Sequence, residues 1–550
     1  MKTKTSTLLA LTLIFTVVVS AAAQPATQQF PTIQLPAGYH IEKVVDTLTY
    51  PTSLTFDDDG RMYVAEAGGG FNEEPAPARI LRVENGQATE IVDLSNPNVI
   101  ASVVGLEYHD GSFFFTHRAA DLTGAVSRAT LDGTITPVLS GIIDSPSEHQ
   151  VNSIELGPDG RMYVAAGPAG NAAVIGLDNG PNIEAAPDVR TTSCVDIVLT
   201  GQNFQTPDIR TPDDQSDLTL TGAYVPFGTS TTPGQRIAGT NKCGGAILAF
   251  DPADPAGTLR PYAHGFRNVI DLTFDPSGQM YASVNGYDVR GSRPVQDEYD
   301  PTYRVQQGAW YGWPDYSAAL EPLTDPKFDV PDNLQVPIFV NGQMQMGPIQ
   351  IPFVIDHAAS GLQVADRSLI AGLHDFGSSP SGLDAAPTAW GALAGDLFVA
   401  EWGDLSPGTN PLRTTMPGSK VSHIDTATGA VTDFVANVKP GPASEQGALG
   451  KGIERPFDVE FGTDGAMYIV DYGVARVNMA RVAQGKLPYE FPPQTGAIWK
   501  VTPMNVAPAR MPDTGVDDLI GNGLVGSIAV GSFLLAVGGY TLRRRSARQS

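Results

Sequence analysis

One phrase recurs along this chain and constrains its fold more than any other feature. Its first copy reads Pro51-Thr-Ser-Leu-Thr-Phe-Asp-Asp-Asp-Gly-Arg-Met-Tyr-Val. Further copies begin at Val151, Val269 and Pro456, and two weaker ones span 103–117 and 392–402. Each copy is an alternating strand, an Asp/Gly turn and a second alternating strand, which is the pattern of a β-hairpin. The chain is therefore expected to be built from repeated units.

A further strand pair follows most hairpins, for example in residues 78–94 and 245–262, so each unit has the size of a four-stranded sheet. Such repeats predict an all-β, six-bladed β-propeller over residues 37–503, with one long loop insertion. The first strand, 40–46, and the last, 497–501, are expected to share a blade and close the ring, leaving no open sheet edge. A β-sandwich or a β-helix is the alternative, although sandwiches rarely repeat a turn-centred phrase and β-helices have shorter repeats.

The composition supports a turn-rich, exported domain. The chain has 550 residues, including 59 glycines and 44 prolines, as a protein rich in turns requires. Its formal net charge of −25 argues against a nucleic-acid partner, because phosphate binding needs a basic face. For the same reason, an anionic ligand would need a local cluster of arginines.

The N-terminal residues are typical of a targeting signal. Lys2 and Lys4 precede an apolar run and three consecutive alanines, which predicts a secretory signal peptide over 1–23 and a linker over 24–36. A retained membrane anchor is the alternative for the apolar run.

The C-terminal residues predict attachment to the cell surface. A linker, 504–523, contains Met511-Pro-Asp-Thr-Gly515, and an apolar run, 524–542, precedes a basic tail, 543–550. The motif resembles the Leu-Pro-x-Thr-Gly signal that a sortase cuts between Thr and Gly, with Met in place of Leu. The run has about the length that spans a bilayer, with its arginines on the cytoplasmic side. We expect an extracellular protein with a sortase as its partner or, alternatively, a plain transmembrane anchor.

The two cysteines predict a disulfide. Cys194 lies within a Pro/Gly/Thr-rich insertion, 168–242, and Cys243 directly follows it. An even number of cysteines in an exported protein favours pairing, and two free thiols are the alternative. The sequence has no Cys/His pattern typical of zinc.

Residues just before the hairpins are expected to line the mouth of the central channel. The candidates are His149, Arg267, Asn268 and Arg455. A histidine there can act as a general base near neutral pH, and arginines can bind an anion. The alternatives are a surface histidine with a hydrogen-bonding role and arginines paired with acidic neighbours such as Glu454 or Asp458.

The segment 285–298 is rich in oxygen ligands of the kind that Ca²⁺ prefers, although it lacks the spacing of an EF-hand. The candidate ligands are Asn285, Gly286, Tyr287, Asp297 and Glu298. An aromatic cluster, 310–316, follows, and its composition favours blade packing over stacking on sugar rings.

Together these residues resemble the glucose/sorbosone dehydrogenase family, secreted six-bladed propellers that use pyrroloquinoline quinone (PQQ) and Ca²⁺. The similar phrases are His149-Gln-Val-Asn-Ser-Ile-Glu, Gly265-Phe-Arg-Asn268, Asn285-Gly-Tyr287 with Asp297-Glu298, Tyr311-Gly-Trp-Pro314 and Arg455-Pro-Phe-Asp-Val. The chain departs from the family at Val269 and Tyr287, where the glucose enzymes carry proline. The calcium loop is also lengthened by residues 289–296.

The resemblance implies an oxidoreductase that oxidises an aldose or a related sugar or alcohol and passes electrons to an external acceptor. It implies His149 as the base, Arg267 as the stabiliser of charge on the quinone, and Asn268 and Arg455 as further quinone contacts, with Ca²⁺ as a Lewis acid. A non-catalytic surface propeller that binds carbohydrate or protein is the alternative. A lactonase-like hydrolase is a third possibility, which would require more carboxylates at the mouth.

Overall fold

The computed structural model describes residues 30–504, except 71–73, 215, 346–349, 407–409 and 485–487. The predicted signal peptide, the sortase-like motif, the apolar run and the basic tail lie outside these residues. Among the described residues, no helix is long and apolar enough to cross a membrane. All described residues fall within the first of two units, Met1–Ala507.

Six antiparallel sheets follow one another along the chain, five with four strands and one with five, and we number them as blades 1 to 6. The strands of blades 1 to 3, innermost first, are Pro51–Phe56, Met62–Gly70, Glu74–Glu84 and Gln87–Asp93; Leu106–His109, Ser112–Arg118, Gly124–Thr130 and Ile135–Ile142; Val151–Leu156, Met162–Ala166, Ala246–Phe250 and Arg260–His264. Those of blades 4 to 6 are Asn268–Phe274, Met280–Asn285, Asp300–Arg304 and Ile370–His374; Pro380–Ala385, Leu397–Glu401, Lys420–Asp425 and Ala430–Asn437; Pro456–Phe461, Met467–Asp471, Gly496–Pro503 and Tyr39–Leu48.

The first long strand of the described chain closes the ring, as the sequence predicts. Tyr39–Leu48 pairs with Gly496–Pro503, and Ile41 lies opposite Val501. The innermost strands contact one another in cyclic order, and that of blade 6 meets that of blade 1. The outermost strand of blade 6 therefore comes from the opposite end of the chain, which holds the propeller shut.

The blades pack against each other through the apolar residues of their alternating strands. Phe398 and Val421 of blade 5, for example, pack with Val459 and Trp499 of blade 6, and all are nearly inaccessible to solvent. Burial of each such side chain stabilises the fold by about 1.5–3 kcal/mol relative to exposure.

Two insertions depart from the repeat, of which the sequence predicted one. The first, 168–242, follows the second strand of blade 3, and its Cys194 forms the predicted disulfide with Cys243. The second, 305–369, follows the third strand of blade 4 and contains the aromatic cluster. Strands from both insertions form a separate sheet, in which Gln202–Pro207 pairs with Ile338–Val340.

The remaining elements are short. This separate sheet also contains Leu218–Gly222 and Gln343–Met344, Ile33–Gln34 extends blade 5, and two small ladders join Ile197–Val198 to Arg236–Ile237 and Arg476–Val477 to Tyr489–Glu490. The α-helical turns are Gly180–Ala185, Pro255–Thr258 and His357–Ser360. The 3₁₀ turns are Leu177–Asn179, Pro326–Phe328, Asp332–Leu334, Arg367–Leu369, Thr388–Leu393, Ala443–Gln446 and Met479–Gln484.

The innermost strands bring a set of carboxylates together along the channel. The repeat places them at its third and fifth positions in five of the blades: Glu107, Glu155, Asp271, Asp384, Asp458 and Glu460. Several also accept hydrogen bonds from the next blade, since Leu54 N donates to Asp458 at 3.0 Å and Leu383 N donates to Asp271 at 2.9 Å. These carboxylates therefore connect neighbouring blades as well as lining the channel.

Candidate functional site at the channel mouth

His149 lies two residues before the innermost strand of blade 3, and its side chain is buried. Its Nδ1 lies 2.9 Å from the carbonyl oxygen of Pro168. Because a carbonyl only accepts hydrogen bonds, Nδ1 carries the proton and Nε2 keeps its lone pair. Burial lowers the pKa of His149 well below its ordinary value, and the charges of Arg267 and Arg290 lower it further. The imidazole is therefore neutral near pH 7, with its basic nitrogen at Nε2.

Arg267 lies directly before the innermost strand of blade 4 and is only 6% exposed. Its Nη2 donates to Asp288 Oδ2 at 2.8 Å and to Asn171 Oδ1 at 3.1 Å. Its Nε is buried without a hydrogen-bond partner among the described residues. The guanidinium group thus holds a carboxylate of its own chain and keeps one donor available.

Arg290 contacts three carboxylates at the same mouth. Its Nε and Nη2 donate to Asp288 Oδ2 at 3.0 and 2.8 Å. Its Nη1 donates to Asp178 Oδ2 at 2.9 Å and also to Glu148 Oε2, on the residue that precedes His149. Charge-assisted hydrogen bonds of this kind are stronger than neutral ones. Arg290 therefore connects the lengthened loop, the first insertion and the entrance to blade 3.

The sequence predicts that arginines at the mouth bind an anion, and in the structure Arg267 binds a carboxylate of the same chain. Two guanidinium groups, those of Arg267 and Arg290, are paired with three carboxylates. Burial raises the pKa of Glu148 to about 7 and also raises that of Asp178, although Arg290 opposes both shifts. For Asp288, burial is outweighed, because Arg267 and Arg290 hold its pKa below the usual value. Asp288 shares a loop with Arg290, whereas Glu148 and Asp178 come from other segments, whose approach to Arg290 is not visible in the sequence.

Asn268 lies beside His149. Its Oδ1 accepts a hydrogen bond from Asn152 Nδ2 at 3.0 Å. Gly167 packs against both side chains, since a Cβ at this position would lie 2.6 Å from His149 Cβ and 2.7 Å from Asn268 Oδ1. The structure therefore brings His149, Arg267 and Asn268 together from two adjacent blades.

Arg455 belongs to a separate set of contacts. It is fully buried, and its Nη1 donates to the carbonyl oxygens of Trp402 and Asp404 at 2.9 and 3.0 Å. Its Nη2 donates to the carbonyl oxygen of Ala475 at 3.3 Å, and burial lowers its pKa to about 10. Its guanidinium group holds loops of blades 5 and 6 together. The expected contact between Arg455 and a quinone stays a prediction.

Four of the five predicted calcium ligands border one small cavity, which also reaches Arg267: Asn285, Gly286, Tyr287 and Glu298. Asn285 Oδ1 is buried without a hydrogen-bond partner among the described residues. Glu298 accepts a hydrogen bond from the backbone of Ala318, and burial raises the pKa of this carboxyl to about 8. The cavity therefore offers oxygen atoms that lack a full set of partners.

The fifth predicted ligand lies elsewhere. Asp297 is exposed, and its Oδ2 accepts a hydrogen bond from Gln296 at 3.2 Å. Asp300, which the sequence analysis did not single out, is buried instead and accepts hydrogen bonds from Gly286 N at 2.6 Å and Ser379 N at 2.9 Å. Within the described ranges, no three His, Cys, Asp or Glu side chains converge on a metal position. A cation here would depend on carbonyl oxygens, on Asn285 and on Glu298.

Several residues at the mouth were not predicted. Glu148 and Asn152 flank His149 within one phrase, and Asp288 and Arg290 lie in the candidate calcium loop, so local sequence carried a signal for these four. No signal marked Asn171 and Asp178, which the first insertion contributes to the mouth. The aromatic cluster is mostly buried, as its composition predicts, and the indole of Trp313 donates to the carbonyl oxygen of Asn171 at 3.1 Å.

Comparisons with known proteins gave matches among solved structures. No protein-family model matches the sequence, and no curated protein matches it. The PQQ-bound aldose sugar dehydrogenase of Streptomyces coelicolor aligns at 15% identity, over 85% of this chain and 99% of that chain, with a TM-score of 0.44. The PQQ domain of pyranose dehydrogenase from Coprinopsis cinerea aligns at 12% identity, over 87% and 98%, with a TM-score of 0.47.

A calcium structure of a carbohydrate-active enzyme of family AA12 from Trichoderma reesei aligns at 15% identity, over 88% of this chain and 99% of that chain, with a TM-score of 0.47. By name, these neighbours include a sugar dehydrogenase bound to PQQ and the PQQ domain of another. Since the TM-scores lie below 0.5, we base the function proposed below on the residues of this chain.

Proposed function

We propose that this protein is a surface-attached oxidoreductase that oxidises an aldose or a related sugar or alcohol with PQQ and Ca²⁺. The proposal rests on the protonation and orientation of the His149 imidazole. Its Nδ1 is engaged by the carbonyl of Pro168, so that Nε2 is free to accept a proton beside Arg267. A buried, neutral and oriented imidazole is suited to general-base catalysis.

The residues at the mouth fit an anionic quinone. Arg267 already binds one carboxylate, that of Asp288, and a carboxylate of the ligand would bind to it in the same way. The unpartnered Nε of Arg267 is a further donor in a buried position. Asn268 is fixed beside it through Asn152. These groups would hold PQQ.

The cavity next to Arg267 fits Ca²⁺. Its lining includes Asn285 with an unpartnered oxygen, the backbone of Gly286 and the buried carboxyl of Glu298. Oxygen atoms of this kind suit a hard cation. A bound cation would also favour the ionised form of Glu298, whose pKa burial raises.

The chemistry supplied by bound PQQ and Ca²⁺ is acceptance of a hydride from the sugar carbon, with the cation polarising the accepting carbonyl group. His149 Nε2 takes the proton from the hydroxyl on that carbon, so that the alcohol becomes a carbonyl group. Arg267 stabilises negative charge that develops next to it, since a buried guanidinium needs little reorganisation during the reaction. The surrounding blades exclude bulk water from His149, which is 6% exposed.

Reconstitution tests this proposal. The purified protein is loaded with PQQ and Ca²⁺, and dye-linked oxidation of a panel of aldoses is measured. We expect turnover with at least one sugar, and a loss of about a hundredfold or more in His149→Ala, the low end for a positioned base. His109→Ala, at the hairpin turn of blade 2, is the matched control. Absence of PQQ binding in the presence of Ca²⁺ would contradict the proposal.

A non-catalytic propeller that binds carbohydrate is the second candidate. The observation that favours it is the pairing of Arg267 and Arg290 with carboxylates of the same chain. It predicts that sugars bind to the protein without being oxidised in the same panel.

The proposed attachment to the cell surface is based on the sequence of residues that lie outside the described range. We expect a sortase to cleave after Thr514, and Thr514→Ala to release the protein or retain it in the membrane. The distribution of the protein among wall, membrane and medium measures this. Unchanged attachment to the wall would leave the apolar run, 524–542, as the anchor.

A further inference from the structure

Asp288 occupies the position on Arg267 that an anionic ligand would take, and we infer that it is an intramolecular competitor for such ligands. Its Oδ2 lies 2.8 Å from Nη2 of Arg267, 2.8 Å from Nη2 of Arg290 and 3.0 Å from Nε of Arg290. One carboxylate oxygen therefore accepts from three donors. The inference rests on the proposed function, since it concerns how that site admits its anionic cofactor.

The N–H groups of Arg267 and Arg290 that bind Asp288 are also the donors that a carboxylate of a ligand would need. Arginine binds carboxylates through N–H groups in a fixed fork, and a group that already uses the fork must leave before another binds. Asp288 and Arg290 both belong to the lengthened loop, so this loop supplies the competitor and one of the two arginines. Asp288 is thus a specificity-determining residue for anionic ligands at this mouth.

The backbone around Asp288 is held independently of its side chain. Asn171 Oδ1 accepts a hydrogen bond from Asp288 N at 2.9 Å, and Asn171 Nδ2 donates to the carbonyl oxygens of Asp288 and Arg290 at 2.9 and 3.1 Å. The Asp288 side chain is 23% exposed and has access to solvent. A ligand can therefore displace the carboxylate by rotating one side chain, without unfolding the loop.

The expected effect follows from the fraction of molecules with a free site. An apparent affinity is reduced by the fraction that is competent to bind. The ion pairs of Asp288 with the two arginines leave only a small fraction of molecules competent to bind an anion. Removal of the Asp288 carboxylate is therefore expected to strengthen anion binding by at least about tenfold.

The test measures binding rather than turnover. Wild type, Asp288→Asn and Asp178→Asn are titrated by calorimetry with PQQ in the presence of Ca²⁺ and, separately, with trimellitate, a redox-inert aromatic tricarboxylate. Asp178→Asn is the matched control, because it removes one carboxylate from Arg290 and leaves Arg267 paired with Asp288. We expect at least about tenfold tighter binding for Asp288→Asn and less than about threefold for Asp178→Asn, from general charge alone.

The outcomes separate this inference from the proposed function. Three outcomes would overturn the inference. These are equal gains in anion affinity for both variants, weaker binding by Asp288→Asn than by the wild type, and no binding of either anion to any variant. Tighter trimellitate binding without sugar oxidation by the PQQ-treated protein supports the inference and contradicts the proposed function. Circular dichroism shows whether each variant is folded. If Asp288→Asn does not fold, the anion affinity of Asp288→Ser is compared with that of the wild type instead.

Discussion

Asn268 Oδ1 accepts a hydrogen bond from Asn152 Nδ2 at 3.0 Å, and this contact joins the innermost strand of blade 4 to that of blade 3. Asn152 Nδ2 also donates to the carbonyl oxygen of Val269 at 2.7 Å. The neighbour of the candidate base is therefore positioned by the framework between two blades and not by a long loop. Sites on such rigid elements hold their geometry more closely than sites on loops.

The space at Gly167 is one consequence of this arrangement. We expect Gly167→Ala to lower turnover strongly and to cost about 1–3 kcal/mol of stability, because the added Cβ would overlap His149 and Asn268. Turnover and chemical unfolding measure the two effects. Gly180→Ala is the control, since its Cβ would meet only Ile209 Cδ1 at 3.9 Å. Full turnover in Gly167→Ala would contradict the packing described here.

The lowered pKa of His149 predicts the pH dependence of the reaction. Burial and then Arg267 and Arg290 favour the neutral imidazole, so the base form persists below the ordinary pKa of 6.5. We expect kcat/KM to decline only in more acidic solution than that, and Arg267→Gln to move the decline to higher pH. A profile of kcat/KM against pH measures both. A decline centred above 6.5 in the wild type would show that His149 is not the titrating group.

The channel carboxylates predict greater stability in acid. Burial and a neighbouring carboxylate raise the pKa of Glu107 to about 8 and that of Asp271 to about 6, and burial raises that of Asp384 to about 6. These groups bind protons in the folded protein at pH values where the unfolded chain has released them, so stability falls as pH rises from about 4 towards 8.

We therefore expect a melting temperature at least ~2 °C higher at pH 5 than at pH 8. Glu107→Gln should raise the melting temperature at the higher pH and flatten its pH dependence, because it removes one half-buried charge. The exposed Glu184→Gln is the control. A melting temperature that rises with pH would contradict this prediction.

The disulfide predicts a link between the first insertion and the mouth. Cys194 and Cys243 are 49 residues apart, and closure of such a loop stabilises the folded state by about 4 kcal/mol in the chain-entropy model. Since Asn171 and Asp178 belong to this insertion, we expect the Cys194→Ala, Cys243→Ala double variant to lose both stability and anion binding. Guanidinium unfolding and the trimellitate titration measure these effects. An unchanged unfolding midpoint would mean that the insertion is held by its other contacts.

The sequence was sufficient to predict the repeated hairpins, the closure of the ring and the pairing of the two cysteines. The alternation of apolar residues and the Asp/Gly turns are properties of consecutive residues, so they can be read without knowledge of the fold. The same logic placed His149, Arg267 and Asn268 at one end of the channel, since each lies at or directly before the start of a hairpin. The second insertion was missed because it carries no copy of the repeated phrase.

The partners of the site residues depended on the three-dimensional arrangement. Asp288 and Asp178 neutralise arginines at the mouth, and Asn171 holds Arg267 from an insertion 96 residues away in the chain. Arg455, which sequence position places beside the other candidates, donates from both Nη atoms to carbonyl groups of blades 5 and 6. The periodicity of the sequence shows which end of a strand a residue occupies. Hydrogen bonds and ion pairs, in contrast, form between atoms within about 3 Å of each other. Loops from distant segments of the chain approach to that distance only once the blades have packed.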